Sequence, residues 1–452
     1  MALALEPRFV FSGFRPGVLA VAPLTGGAAR RLLPRVNAAD WSPDGRELAV
    51  ARVADGGGSR VEWPPGKVAY HTEGHIAALR VSPGGNRLAC IESIADTDRV
   101  ILVEKGGAVK ELSRAEGSPN PGLAWSPDGR RVYFSLVRTS TEPSLSVVDL
   151  NGAQRPLLAL PGGLRLEDVA HDGRVLLTHL RVSLELRVGS ADAAVDRDLS
   201  WFNRSFVQDV SADGRRLLFE EDEPGGSALY LRDVDGSMAV RIGEFWLAVL
   251  SPDATRIAVV SSNQDRLLVL PVREGETVEL PRGTIRRFDG AAWLPDGRHL
   301  LTLGADAEGK RVFEQALEGG PPRPVTAPIA ADTFCPSPDG GRFVASDGRR
   351  LVIYSLDGRP PRAVPGEHAE RRLLRWSANR RAVFTYRIGD LPGHLYRIDL
   401  ETGVEQVVRT LLPPDPTGVL RIHPVVVTPD GRTWAYTATQ ILSDLYVYSG
   451  LR

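Results

Sequence analysis

A six-residue turn signature recurs along this chain at a nearly fixed interval, and such an interval limits the fold before any single element does. Trp41-Ser42-Pro43-Asp44-Gly45-Arg46 returns as Trp125-Ser126-Pro127-Asp128-Gly129-Arg130 and as Trp293-Leu294-Pro295-Asp296-Gly297-Arg298. Weaker copies are Ser82-Pro83-Gly84-Gly85, His171-Asp172-Gly173-Arg174, Ser211-Ala212-Asp213-Gly214-Arg215 and Ser251-Pro252-Asp253. Three more follow at Ser337-Pro338-Asp339-Gly340, Trp376-Ser377-Ala378 and Thr428-Pro429-Asp430-Gly431-Arg432. Counted from the serine or its equivalent, the marks fall at 42, 82, 126, 171, 211, 251, 294, 337, 377 and 428. The steps run from 40 to 45 residues, apart from a last step of 51.

That period is the length of four short strands and their turns, the unit of a propeller blade. The signature has turn chemistry. Proline pre-sets φ, aspartate accepts from the backbone two residues on, and glycine supplies a positive φ. After the mark at 126, short apolar and β-branched runs occupy 131–136, 145–150 and 157–160, and the same order recurs after the marks at 251 and 377. These runs have the strand signature, and no long window carries a helical period. The expected fold is all-β, a β-propeller of about ten four-stranded blades. Because ten exceeds the usual blade number, two propellers in tandem are favoured, 1–225 and 226–452, with the boundary between about 205 and 250; the alternative is a single closed ring over 1–452. The N-terminal runs (1–5, 17–22, 30–33) and the C-terminal runs (422–427, 434–437, 445–448) are expected to share the closing blade, which would remove exposed edges.

Trp41, Trp125, Trp293 and Trp376 all stand just before a mark. A large flat side chain repeated once per blade is read as packing between blades, with ligand stacking as the minority reading. Asp44, Asp128, Asp296 and Asp430, with Gly45, Gly129, Gly297 and Gly431, repeat with the fold and are read as structural turn residues rather than a catalytic or metal set.

These turns, with the strands that follow them, resemble the TolB-like, WD-repeat-like β-propellers of bacteria over essentially the whole chain. A narrower likeness is carried by Leu24–Arg31, Ala39–Arg46, Pro64–Tyr70, Asp172–Thr178, Arg197–Trp201 and the closing Leu442–Arg452. This order resembles the C-terminal propeller region of receptor serine/threonine protein kinases of the kind abundant in acidobacteria, which implies a sensor or binding role. The kinase itself is absent: there is no glycine-rich loop before a strand lysine and no His-Arg-Asp loop, and Phe288-Asp289-Gly290 is not the Asp-Phe-Gly motif. Met1–Leu5 reads like the inside of a blade strand, so the sequence is expected to be the tail of a longer product, a split gene or an excised domain. The compartment follows from that: extracytoplasmic for the tail of a receptor kinase, cytoplasmic for a native start at Met1.

Composition narrows the function classes. The formal net charge of -1, from 55 basic and 56 acidic residues, supplies no field to draw in nucleic acid or an anionic membrane. No run is long enough to insert in a bilayer as a helix. Cys90 and Cys335 are the only cysteines, which leaves no disulfide framework or cysteine metal cluster, and both are read as small buried side chains. There is no Gly-x-Ser-x-Gly elbow. His71 and His75 lack the motif and helical setting of a zinc protease. No cofactor is expected. The reading is a non-catalytic binding or sensor module for a protein or small ligand. The alternatives are a structural scaffold, or a propeller hydrolase or lyase whose site gathers in the central channel. The long last step holds an inserted loop, Pro413, Pro414, Asp415 and Pro416, the candidate binding loop. The loops at 54–59, 114–122 and 220–226 are further candidates.

Overall fold

The computed structural model describes residues 2–5, 9–10, 13–14, 16–23, 25, 27–94, 97–116, 122–137, 143–159, 163–223 and 226–450. Every regular element among them is a β-strand, and the strands form small antiparallel sheets, most of them four-stranded. The protein is an all-β propeller.

The recurring turn shows why the sequence folds this way locally. Ser42 N donates to Glu47 O and Gly45 N to Ser42 O, both at 2.8 Å, so the loop closes on itself and the next strand returns beside the last. Gly45 and Gly129 take φ of 70° and 67°, where a side chain would be strained. Ala254 and Arg380 hold the same corner at φ of 55° and 63° without glycine's freedom. One mark needs shifting: Gly173 N donates to Ala170 O, so Ala170, and not His171, is the first residue of the fourth turn. His171 occupies the proline position.

The chain divides into two compact units, 1–181 with 442–452, and 182–441. It enters the second unit inside the strand Val175–Ser190 and leaves it inside Thr433–Tyr448. The sequence placed this boundary at 225/226, which falls between the paired strands Arg216–Glu223 and Gly226–Asp233 of one sheet. Pattern alone marks turns, and every turn of this kind resembles every other, so it does not say which one separates two rings.

Among the described residues the second unit has five sheets of four strands and, in a sixth position, part of a five-stranded sheet. Their inner strands are Ser205–Val210, Phe245–Leu250, Arg287–Trp293, Thr333–Pro336, Arg371–Trp376 and Val419–Val427. Each lies against the next, and the sixth lies against the first, so the ring is closed. The sixth sheet is assembled from both ends of the unit: Val419–Val427 and Thr433–Tyr448 from the C-terminal side, Val175–Ser190 and Arg197–Asp198 from the N-terminal side. Ala191 N donates to Arg432 O at 2.7 Å along this seam. The C-terminal strands thus close on residues near 180, not on the N-terminus as the sequence suggested. Ala2–Leu5 pairs instead with Gly17–Val21.

The first unit holds a six-stranded sheet from Ala2–Leu5 to Val68–Thr72, two four-stranded sheets, and Gly163–Val169 paired with the N-terminal part of Val175–Ser190. Cores lie between successive sheets. Ala258, Val260 and Leu267 of one sheet pack with Phe288, Trp293 and Phe313 of the next.

Candidate functional site

Trp125, Trp293 and Trp376 pack between sheets, whereas Trp41 packs within its own. Trp125 is buried against Ala89, Ile91 and Val100 of the preceding sheet, and its indole N–H donates to Arg80 O at 3.1 Å. Trp293 repeats this on Val249 O at 3.1 Å. Trp376 is buried among Val344 and Ile353, with the Arg342 guanidinium over its ring. Trp41 is half-buried beside Leu48 and Val50. The turn aspartates accept locally: Asp44 Oδ1 takes the Ser42 hydroxyl and Arg46 N, and Asp128 Oδ1 the Ser126 hydroxyl and Arg130 N. The serine hydroxyls and these amides hold both carboxyls below the usual range. Asp296 accepts from Arg298 N and Asp430 from the Thr428 hydroxyl and Arg432 N.

The proline loop joins Glu405–Leu411 to Val419–Val427. Pro413 is buried while Pro414, Asp415 and Pro416 are exposed. The loop is tied down by Asp415 Oδ1 accepting Thr417 N at 3.0 Å, Gln440 Nε2 donating to Thr417 O at 2.7 Å and Ile441 N donating to Gly418 O at 2.8 Å. None of the four residues lines the large cavity of this unit. Residues 54–59 form a tight hairpin turn. Within the other two candidate loops, 117–121 and 224–225 lie outside the described residues. His71 and His75 sit on adjoining strands, with His75 Nδ1 near Asn37 Nδ2 at 3.3 Å. Cys90 and Cys335 are buried free thiols, and burial pushes Cys335 up to about 12.

What the sequence did not single out is the residue two places before each mark. It is the last but one residue of each inner strand. In the second unit the column reads Asp209, Val249, Ala292, Cys335, Arg375 and Val426, and all six line a cavity of about 600 Å3. Asp209, on the first inner strand, and Arg375, on the fifth, meet there: Arg375 Nη2 donates to Asp209 Oδ1 at 2.7 Å. Asp209 Oδ1 also accepts Val210 N, and Oδ2 accepts Leu250 N at 2.9 Å, which fixes the second inner strand. Burial drives this carboxyl up, opposed by Arg375 and the two amides. In the first unit the same column contains Asp40, Arg80, Ala124 and Asp168. There Asp40 Oδ2 accepts Val81 N at 2.8 Å, and Arg80 donates to Leu123 O and Glu167 O.

The two ends of the second unit's cavity differ chemically. At the turn end, the residue after each mark is Ala212, Pro252, Pro295, Pro338, Ala378 or Pro429, an apolar rim in which neighbouring turns touch. At the end where the inner strands begin, about 20 Å away at some 3.3 Å per strand residue, Arg372 and Tyr386 line the cavity. The Tyr386 hydroxyl lies 2.6 Å from His423 Nδ1, their rings stack, and Phe206 meets His423 edge-on. Burial, then Arg421 and Arg372, bring His423 down to about 3, so its imidazole is neutral. Burial holds the Tyr386 phenol protonated. Arg372 has no carboxylate within ion-pair distance among the described residues.

No protein-family model matches the chain, and no curated protein matches it. Solved structures do. A protein assigned as TolB from Agrobacterium tumefaciens is similar at 16% identity and a TM-score of 0.43, over 57% of this chain and 99% of that one. TolB from Acinetobacter baumannii is similar at 14% identity and 0.33, over 72% and 78%. The tricorn protease is similar at 12% identity and 0.31, over 91% and 49%.

Proposed function

We propose that the protein is a non-catalytic binding module whose ligand enters the axial cavity of the second unit. The observation that carries this reading is the cavity itself: about 600 Å3, walled by apolar side chains with a few convergent polar groups. That is the size and character of small-ligand sites. Asp209, the one acid lining it among the described residues, is committed to Arg375 and two backbone amides, so it is a wall element rather than a free general base. A role as the sensor region of a receptor kinase is compatible with this reading. Sequencing upstream of Met1 in the source genome for an in-frame kinase and membrane span tests that part.

A small-molecule thermal-shift screen of the native chain, repeated on Ala292→Phe, tests the binding reading. Hits that stabilise the native chain, are recovered chemically unchanged and are lost on filling the cavity support it. Hits that survive the filled cavity place binding elsewhere, and turnover of a hit makes the protein an enzyme. A protein-contact reading has one observation in its favour. Leu445, Tyr446, Val447 and Tyr448 are exposed on the terminal strand, an apolar run of the kind that marks contact surfaces.

A further inference from the structure

We infer that the ligand of the second unit's cavity is an amphipathic monocarboxylate, held with its carboxylate at Arg372 and its apolar body running toward the turn end. The inference rests on the binding reading above and adds the chemical class.

Three observations carry it. The polar groups of the cavity are unevenly placed: Arg372, Tyr386, Thr333 and Gln208 line it away from the turns, whereas the turn end offers alanines and prolines, with Ser251 and Ser337 donating their hydroxyls to Asp253 and Asp339 of their own turns. A ligand matching this wall is polar at one end only. Secondly, the charges midway along the channel cancel. Asp209 and Arg375 satisfy each other, so the interior asks for no counter-ion and presents mainly Val249, Ala292 and Val426 to its contents. Thirdly, Arg372 lines the cavity with no acid beside it among the described residues. A guanidinium facing a largely apolar cavity without a carboxylate in ion-pair distance is a fit for a carboxylate, which it can bind through two parallel N–H donors. Beside it the Tyr386 hydroxyl, 2.6 Å from His423 Nδ1, is a second polar group lining this end. Glu220 bonds Gln208 at 3.1 Å, and burial pushes its carboxyl up, so it opposes an anion less than a free carboxylate would.

Calorimetric titration of the whole chain with decanoate, decan-1-ol and decyltrimethylammonium tests this. Decanoate is expected to bind at one site, about tenfold or more tighter than the alcohol, since a charge-assisted hydrogen bond is worth roughly that factor. The ammonium is expected not to compete with it. Arg372→Ala should remove the preference for decanoate over the alcohol, and Arg372→Lys should restore part of it. A double variant, Arg372→Ala with Ala292→Phe, should bind neither probe. Equal binding of alcohol and decanoate overturns the carboxylate inference but leaves the cavity as a binding site. An undiminished decanoate preference in Arg372→Ala also overturns it. Absence of any decanoate binding overturns it as well, and hits from the thermal-shift screen that are lost in Ala292→Phe would still stand for the cavity.

Discussion

Asp209 exchanges water for three donors, and each donor belongs to a different part of the ring: its own strand, the second inner strand and the fifth. A buried pair of this kind adds little over an apolar replacement but is costly to halve, because the remaining charge has no partner. Arg375→Ala is therefore expected to lower stability by about 3 kcal/mol or more. Asp209→Val with Arg375→Met should cost less than the sum of the two single changes. Urea midpoints of the four proteins check this, and strict additivity would mean the two residues act separately. His423 makes a pH prediction. Its folded value is depressed to about 3, first by burial and then by Arg421 and Arg372, whereas the unfolded chain protonates near the ordinary 6.5. Between those values the unfolded state holds a proton that the folded state lacks, so stability is full above about 6.5 and is lost as pH falls toward 3. His423→Gln should flatten that acid limb, and midpoints at pH 7.5 and 4.5 would show the difference shrinking. An unchanged difference would place the acid sensitivity in other groups.

At the scale of the element, the turn is the unit that sequence conveys well. Its proline, aspartate and glycine act on backbone geometry within four residues, so no distant contact is needed to read them. Trp125, Trp293 and Trp376 lie between sheets, whereas Trp41, before the same turn, packs within its own, so the signature alone does not fix where that side chain goes. The column two residues before each mark was also present, as Asp209 and Arg375 break a series of Val, Ala and Cys, but its meaning depends on which repeats share a ring. Nothing local ties residue 209 to residue 375, or Tyr386 to His423. The turns also allow a local test. Arg380 is exposed and takes the left-handed corner that glycine holds in most other copies. Arg380→Gly should raise stability by about 0.5–1 kcal/mol, the relief of that conformation less glycine's added chain entropy. A loss of stability would mean that the Arg380 side chain makes a contact worth more than the strain.

For the whole molecule, the decisive feature is where the ring closes. The seam of the second unit joins Val419–Val427 and Thr433–Tyr448 to Val175–Ser190, so the strands that complete its sixth sheet are distant in sequence. Repetition shows how many units a chain has, whereas closure depends on two segments whose patterns match every other strand, and this is why the sequence boundary at 225/226 missed it. The consequence can be tested with fragments. Residues 182–441 contain all six inner strands and their own cores, so this piece is expected to fold alone, giving a strand-rich circular dichroism spectrum and a single cooperative unfolding transition. Residues 226–452 start inside the first sheet of that ring and lose Ser205–Val210, Arg216–Glu223 and the N-terminal half of the seam. That fragment leaves unpaired edges on both sides of the gap and removes Asp209 from Arg375, so it should aggregate or melt without cooperativity. If 226–452 folded and 182–441 did not, the ring would close elsewhere than at the seam.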